Sequence, residues 1–446
     1  MGATRARLIP TLVALTLLAS CTVNQPGVTP LPGLPASIQP TPVESSTPPP
    51  IPNAEILKTK LDKVKRTNVT EAAYAVYTSV GDELAVENDT AMVPASTTKL
   101  VTAMAAISLL GPDTRFQTRV LALGDEVTIM GGGDPYLMAS KQKKAVLAAN
   151  LDDLAAATAA ALTAAGTTTV KLNFDKSLFS GREYAKSWAP GWGSYTSRIS
   201  ALSVNLGKST ATKFNPKALN AAAADPDPAL AAAQLFATKL RALGVSVNSV
   251  AKGKASEGAA EIASVSSAPL SQIIERMELY SENFTAEVIA RHVAIAAGQK
   301  ASFTGASNAL EEYLQGMGLW SEGNKIDGGS GLSSKAKLKP SLLARLVFTG
   351  LNDEKYQAVM AGLPVAGESG TLKTKRFDDK KEQAGVGRVH AKTGTLNGVA
   401  TLAGYVVDAD GAVIAFAFMS KHTGQTAAYN WLDREASVIA GCGCQP

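Results

Sequence analysis

The chain has 446 residues, of which 46% are apolar and 18% charged, and its formal net charge is +5. This composition is typical of a globular protein, and the length suffices for one large domain with a smaller partner. The positive excess is too weak to indicate nucleic-acid binding, and no cluster of Lys and Arg is interleaved with aromatic residues. We therefore exclude nucleic acid as a partner.

The first residues have the pattern of an export signal. Arg5 and Arg7 precede an apolar run, residues 8–18, that is too short to span a bilayer. The run leads into Leu-Ala-Ser-Cys, which resembles the lipobox of bacterial lipoproteins, whose cysteine becomes the new N-terminus and carries the lipid. We predict that residues 1–20 are a lipoprotein signal peptide and Cys21 the lipid anchor. An ordinary cleaved signal with a spare cysteine is the alternative.

The next stretch, residues 21–53, is predicted to be a proline-rich tether. Ten of the 31 residues at 22–52 are proline and only Glu44 is charged, so this stretch cannot form a core. At about 3.1 Å per residue in polyproline II, such a tether extends roughly 95 Å. We expect an exported protein at the outer face of the cytoplasmic membrane, held there by lipid alone.

Beyond the tether, hydrophobic periodicity and turn residues predict both helices and strands. The predicted helices are 54–67, 96–110, 151–165, 227–243, 270–298, 306–317, 340–350 and 426–440, and the predicted strands are 73–79, 83–86, 116–123, 169–174, 387–392, 399–407 and 412–420. The pattern favours an α+β fold, with an antiparallel sheet flanked by helices formed by residues 54–123 and 269–446. Residues 124–268, whose composition differs and includes an alanine-rich helix at 151–165, are predicted to be a smaller inserted domain.

One helix start carries a possible nucleophile and base. Ser96 begins the helix predicted at 96–110, and Lys99 follows three residues later on the same face. A lysine that loses its proton near neutral pH can accept the proton of a serine, and the helix N-terminus directs N–H groups at a developing oxyanion. Alone, the same pattern fits a serine that caps a helix beside a solvated lysine.

Two later motifs change this interpretation. Ser281-Glu282-Asn283 follows an apolar helix face, and Lys392-Thr393-Gly394 lies on a predicted strand. In the order Ser-x-x-Lys, Ser-x-Asn, Lys-Thr-Gly, the three motifs match the set found in penicillin-binding proteins and serine β-lactamases. We therefore predict Ser96, Lys99, Ser281, Asn283 and Lys392 as the catalytic residues.

Further strings narrow this resemblance to one family. They lie at residues 131–135 (GGGDP), 174–179, 200–205, 281–287, 327–333 and 363–372. From about residue 72 to 444 the chain resembles the class C low-molecular-mass penicillin-binding proteins, the D-alanyl-D-alanine carboxypeptidase/endopeptidase family. The resemblance implies a penicillin-binding/serine β-lactamase-like transpeptidase domain with an insertion.

The resemblance also implies an activity and the roles of residues. The chain would be a serine D-alanyl-D-alanine carboxypeptidase, with endopeptidase activity left open, that cleaves peptidoglycan peptides through an acyl-enzyme at Ser96 and is inhibited by β-lactams. No cofactor is expected, and the residues offer no metal set, because the three histidines and the two distal cysteines show no ligand spacing. Thr393, Gly394, Thr395 and Leu396 would line the substrate site. Asp175 would receive the amino end of a diaminopimelate-like side chain at the third stem-peptide residue, with Phe179 and Leu396 as apolar walls. A solvated strand-end Asp175 is an equal alternative.

Other interpretations remain open at this point. The two distal cysteines, Cys442 and Cys444, form either a disulfide or free thiols. A serine β-lactamase is the alternative enzyme, although the Ser-x-Asn motif and the long insertion favour the peptidase. A non-catalytic wall-binding lipoprotein fits the tether and leaves the motifs unexplained.

Overall fold

The computed structural model describes residues 49–142, 149–188, 195–208 and 223–444. The predicted signal peptide, Cys21 and most of the tether lie outside these residues. Contacts group Ser45–Pro446 into one compact unit. Within the described ranges, no helix is long and apolar enough to cross a membrane.

The first of two sheets contains five antiparallel strands in the order β2-β1-β10-β9-β8. They are β1 (Val69–Thr78), β2 (Glu83–Glu87), β8 (Val389–Leu396), β9 (Val399–Val407) and β10 (Val413–His422). Strand β1, which lies between β2 and β10, is buried on both faces from Ala72 onward. Its alternate side chains therefore enter two separate hydrophobic clusters, one on each side of the sheet.

Helices cover both faces of this sheet. One face packs against α2 (Thr98–Leu110), α5 (Leu270–Tyr280), α6 (Asn283–Ala296), α7 (Phe303–Gly316), α8 (Pro340–Asn352) and α9 (Gln357–Ala361). The other packs against α1 (Ala54–Asp62) and α10 (Gln425–Ala440). The predicted α+β arrangement of an antiparallel sheet flanked by helices is thus confirmed.

The second sheet is mixed, with strand order β6-β5-β4-β3-β7. Its strands are β3 (Gln117–Leu123), β4 (Glu126–Met130), β5 (Thr169–Asp175), β6 (Ser246–Lys252) and β7 (Ala260–Ser266), and it packs against α3 (Leu151–Ala164) and α4 (Pro228–Ala242). Strands β4, β5 and β6 are parallel, and β3 runs antiparallel to β4 and β7. The sheet overlaps the predicted inserted domain, 124–268, but also includes β3, which precedes it; the domain assignment stays a prediction.

The structure corrects several predicted boundaries near the catalytic motifs. The helix predicted over 270–298 is two helices, because Ser281 adopts a left-handed conformation (φ 57°) that interrupts the helical hydrogen bonds. The helix predicted to begin at Ser96 begins at Thr98, after a 3₁₀ turn formed by Ala95–Thr97. At the C-terminus, Cys442 and Cys444 are buried and paired as a disulfide, with their Cα atoms 4.8 Å apart.

Candidate active site

The turn that presents Ser96 is tightly held. The preceding residue, Ala95, has a left-handed backbone (φ 47°), which is unfavourable for a residue with a side chain. Two side chains stabilise the turn: the Thr97 hydroxyl donates to the Pro94 carbonyl at 2.7 Å, and the Thr98 hydroxyl donates to the Ala95 carbonyl at 2.9 Å. Ser96 is therefore carried by a fixed, strained turn at the start of α2.

Two glycines allow other segments to approach this turn closely. A Cβ atom on Gly331 would lie 1.8 Å from the Ala95 carbonyl oxygen, and one on Gly394 would lie 2.8 Å from that of Pro94 and 3.0 Å from the Ser96 nitrogen. Both glycines belong to strings that the sequence analysis singled out. Only a residue without a side chain fits at either position, so the glycines bring the 327–333 loop and β8 against Ser96.

Lys99 joins the first two motifs. Its Nζ atom lies 3.0 Å from Ser96 Oγ and donates to Asn283 Oδ1 at 2.7 Å and to the Ser330 carbonyl at 2.7 Å. The side chain is fully buried. Burial, and next the positive charge of Lys392, lower the pKa of Lys99 well below its usual value. Lys99 is thus poised to accept a proton from Ser96.

Lys392 joins the third motif to the second. It is fully buried on β8 and donates to Ser281 Oγ at 2.8 Å and to the Thr393 carbonyl at 2.9 Å. Burial lowers the pKa of Lys392, and the Glu278 carboxylate opposes that change. The structure therefore brings together all five residues predicted as catalytic.

Glu278 is a residue that the sequence analysis missed. It lies on α5, three residues before Ser281, with its side chain fully buried. Neither carboxylate oxygen has a hydrogen-bond partner among the described residues, and burial raises its pKa while Lys392 and Lys99 lower it. The available signal was an acidic residue on the apolar face of a helix, next to Met277. Glu278 therefore compensates the charge of two buried lysines.

The charge of Glu278 predicts a change in pH dependence. Its carboxylate raises the pKa of both lysines, so Glu278→Gln should lower both values. If activity requires neutral Lys99 and protonated Lys392, both limbs of the kcat/KM profile move to lower pH. At alkaline pH we expect the kcat/KM of Glu278→Gln to be roughly fivefold to tenfold below that of wild type. Glu275→Gln, on the same helix, is the matched control; identical profiles for both variants would contradict this role.

The cleft beside Ser96 has a volume of about 370 Å³. Its lining residues are Ser96, Ser281, Asn283, Thr371, Thr374, Lys375, Arg376, Thr393, Thr395 and Tyr429. The Thr371 and Thr393 hydroxyls lie 2.7 Å apart, and those of Thr395 and Tyr429 lie 2.8 Å apart. Hydroxyl and cationic groups of this kind suit a carboxylate ligand.

Several lining residues were not predicted. Thr371 belongs to the 363–372 string, which made it identifiable from the sequence. Tyr429 and Arg376 were not identifiable, because they reach the cleft from α10 and from an irregular segment. Arg376 is anchored by its buried ion pair with Asp433, and its guanidinium lies 4.6 Å from the centre of the Tyr429 ring. Leu396 is partly buried against Val93, Ala95 and Val399.

Asp175 and Phe179 lie elsewhere. Asp175 is buried at the end of β5, where its carboxylate accepts a hydrogen bond from the Ser177 nitrogen at 2.7 Å. Phe179 packs edge-on against His292 and lines a different cavity. Neither is among the described residues that line the cleft beside Ser96. Their predicted role in binding the substrate side chain stays a prediction.

Comparisons with known proteins agree on one family. The family model "D-Ala-D-Ala carboxypeptidase 3 (S13)" matches residues 70–224 and 209–438. The chain is 33% identical to the carboxypeptidase DacB of Mycolicibacterium smegmatis over 364 residues, 79% of this chain and 76% of that protein. It is 32% identical to a carboxypeptidase of Mycobacterium tuberculosis over 368 residues, 80% of this chain and 77% of that one.

A solved structure has a similar fold. The chain superposes on penicillin-binding protein 4 of Haemophilus influenzae with a TM-score of 0.68 and 22% identity, covering 86% of this chain and 98% of that one. At this identity the likeness concerns the fold, and it agrees with the fold class predicted from the motifs.

Proposed function

The chain belongs to the D-Ala-D-Ala carboxypeptidase 3 (S13) family, and from this premise we propose that it removes the terminal D-Ala of peptidoglycan stem peptides through an acyl-enzyme on Ser96. The observation that carries the assignment of residues is the position of Lys99. Its buried Nζ atom contacts both the hydroxyl of Ser96 and the amide oxygen of Asn283, beside the Lys392–Ser281 pair.

The reaction begins with attack of Ser96 Oγ on the carbonyl carbon of the penultimate D-Ala. Neutral Lys99, whose pKa is lowered by burial and by Lys392, takes the hydroxyl proton. The backbone N–H groups of Ser96 and Thr395 stabilise the oxyanion. The close contact of Gly394 with the Ser96 nitrogen supports this pairing, because it holds β8 against the Ser96 turn.

Breakdown of the tetrahedral intermediate breaks the C–N bond and releases D-Ala. The departing nitrogen needs a proton, and Ser281, hydrogen-bonded to Lys392 at 2.8 Å, is suited to relay to it the proton that Lys99 took from Ser96. Lys99 is then neutral again. Lys392, Thr393 and Thr395 receive the terminal carboxylate of the substrate, and Asn283 positions the peptide. Water then hydrolyses the ester on Ser96 with Lys99 again accepting a proton. A β-lactam would acylate Ser96 in the same way.

The activity can be tested with the protein from residue 53 onward. Wild type should release D-Ala from a stem pentapeptide and form a persistent adduct with fluorescent penicillin. No D-Ala release and no adduct would refute the proposed function, and rapid turnover of the adduct would instead identify a β-lactamase. A cross-linked peptide dimer, assayed in parallel, measures endopeptidase activity.

We further propose that Cys21 carries lipid and holds the enzyme at the outer face of the membrane. The lipobox-like residues before Cys21 and the proline-rich tether after it support this anchor. With full-length protein made in cells fed a labelled fatty acid, wild type should be labelled and found with membranes. Cys21→Ser should lose the label and the membrane association; retained labelling would disprove the anchor.

A further inference from the structure

Two adjoining cavities lie apart from the cleft beside Ser96. The first, of about 630 Å³, is lined by residues 176–184 except Leu178, by residues 198–200, and by Lys252 and Arg291. The second, of about 540 Å³, shares Gly181 and Arg182 with the first. Neither contains a residue of the three catalytic motifs.

The lining of these cavities is strongly cationic. Lys176 forms ion pairs with Glu183 and Asp227, and Arg291 donates to backbone carbonyls, so these two cations are held within the protein. Six other cations are exposed and have no ion-pair partner in the described part of the chain: Arg182, Arg198 and Lys252 in the first cavity, Arg182, Lys186, Lys325 and Lys335 in the second. We call these six residues the cationic face.

Little negative charge offsets the cationic face. The carboxylates in the two linings are Glu183, which is paired with Lys176, and Asp327, which accepts a hydrogen bond from the Ser333 hydroxyl. Six exposed cations beside two carboxylates that already have partners create a positive potential, which attracts anionic groups. The whole chain carries a formal net charge of only +5, so positive charge is concentrated here.

Buried polar atoms in the first cavity also lack partners. The Ser200 hydroxyl and the Nε atom of Arg291 are buried and form no hydrogen bond with any described residue. Ser200 itself is 3% exposed and Arg291 1%. A buried polar atom without a partner costs free energy, so two unpaired donors lie in the wall of the first cavity.

The position of the cationic face relates it to the substrate. Asn283 lines the cleft and Arg291 lines the first cavity, and both lie on α6, eight residues apart. At 1.5 Å per residue, this separation is about 12 Å along the helix. An extended peptide of four residues spans roughly 13 Å. A polymer with one stem peptide in the cleft can therefore extend as far as the first cavity, which Arg291 lines together with Arg182, Arg198 and Lys252 of the cationic face.

We propose that the cationic face is a second binding surface for peptidoglycan, which recognises free carboxylates of stem peptides near the one being cleaved. This inference rests on the proposed function, because it takes peptidoglycan as the substrate. The surface raises the local concentration of the polymer at the enzyme and takes no part in the chemical step. Its contribution should weaken with salt, since exposed charges are screened.

The test compares polymer binding with turnover of a small substrate. In Arg182→Glu/Arg198→Glu/Lys252→Glu we expect binding to insoluble peptidoglycan at low salt to weaken by about tenfold or more. We expect D-Ala release from a soluble N-acylated tripeptide to stay within about twofold of wild type, because none of the three residues lines the cleft. Lys186→Glu/Lys325→Glu/Lys335→Glu provides an independent second variant.

The matched control is Lys63→Glu/Lys65→Glu/Lys380→Glu, which changes net charge equally at three other exposed lysines without ion pairs in the described residues. It should bind the polymer as wild type does. When the carboxylates of the peptidoglycan are amidated, wild type should bind the polymer no more tightly than the first variant does.

Three outcomes would overturn the inference. The first is unchanged polymer binding in both cationic-face variants, and the second is equally weakened binding in the lysine control. The third is that wild type and the first variant bind equally well once phosphate-containing polymers are stripped from the wall, which would identify a phosphodiester ligand. Failure of the proposed function looks different, because wild type would then not hydrolyse the soluble tripeptide.

Discussion

Ser96→Ala should lower kcat/KM for a D-Ala-D-Ala peptide by about 10,000-fold or more, because it removes the atom that attacks the carbonyl carbon. The residual rate would come from the oxyanion site and from substrate binding. Gel fluorescence with labelled penicillin should show no adduct. The rate of D-Ala release by wild type and by Ser96→Ala gives the ratio of their kcat/KM values.

The folded structure should survive this substitution. Among the described residues, the Ser96 side chain is hydrogen-bonded only to Lys99, and the turn is stabilised by the hydroxyls of Thr97 and Thr98. The melting temperature should therefore change by only a few degrees. Ser271→Ala on α5 is the matched control and should keep both activity and the adduct. An adduct that persists in Ser96→Ala would show that another residue is the nucleophile.

Lys99→Met should lower kcat/KM by about 1,000-fold, because Ser96 then has no base. Stability should fall by about 1–3 kcal/mol, since methionine leaves the Asn283 Oδ1 and the buried Ser330 carbonyl without their donor. Loss of activity in protein that still unfolds in one cooperative transition separates a chemical role from loss of the fold. Stopped-flow measurement of penicillin acylation isolates the step that needs the base.

Lys99→Arg distinguishes a base from a positive charge. Arginine keeps the charge and can donate to Asn283, but it does not lose its proton in the accessible pH range. We therefore expect Lys99→Arg to be as impaired as Lys99→Met. Recovery to within about tenfold of wild type would indicate that Lys99 acts as a fixed cation and that the proton goes elsewhere.

The strands show where sequence patterns succeed and fail. β9 and β10 are buried and apolar, so their position was predicted to within a few residues. β6 and β7 were missed because most of their residues are exposed or half-buried, which leaves no apolar run or clear alternation. They are strands because β5 and β3 offer edges to pair with, a tertiary effect.

The sequence by itself determined the chemistry of the protein. The order of the three motifs and the surrounding strings were enough to predict the family, the fold class and the five residues from Ser96 to Lys392, because these side chains and glycines are required at fixed local spacing. The family and the fold class are confirmed by the comparisons and by the sheet order.

Tertiary structure alone decided which distant groups share the site. Glu278 acts on Lys99 and Lys392, and Tyr429 reaches Thr395, through contacts between segments far apart in the chain. It also decided that Asp175 is buried at the end of β5; it is not among the described residues that line the cleft. Burial and through-space electrostatics depend on how the elements pack, and local sequence spacing carries no information about that packing.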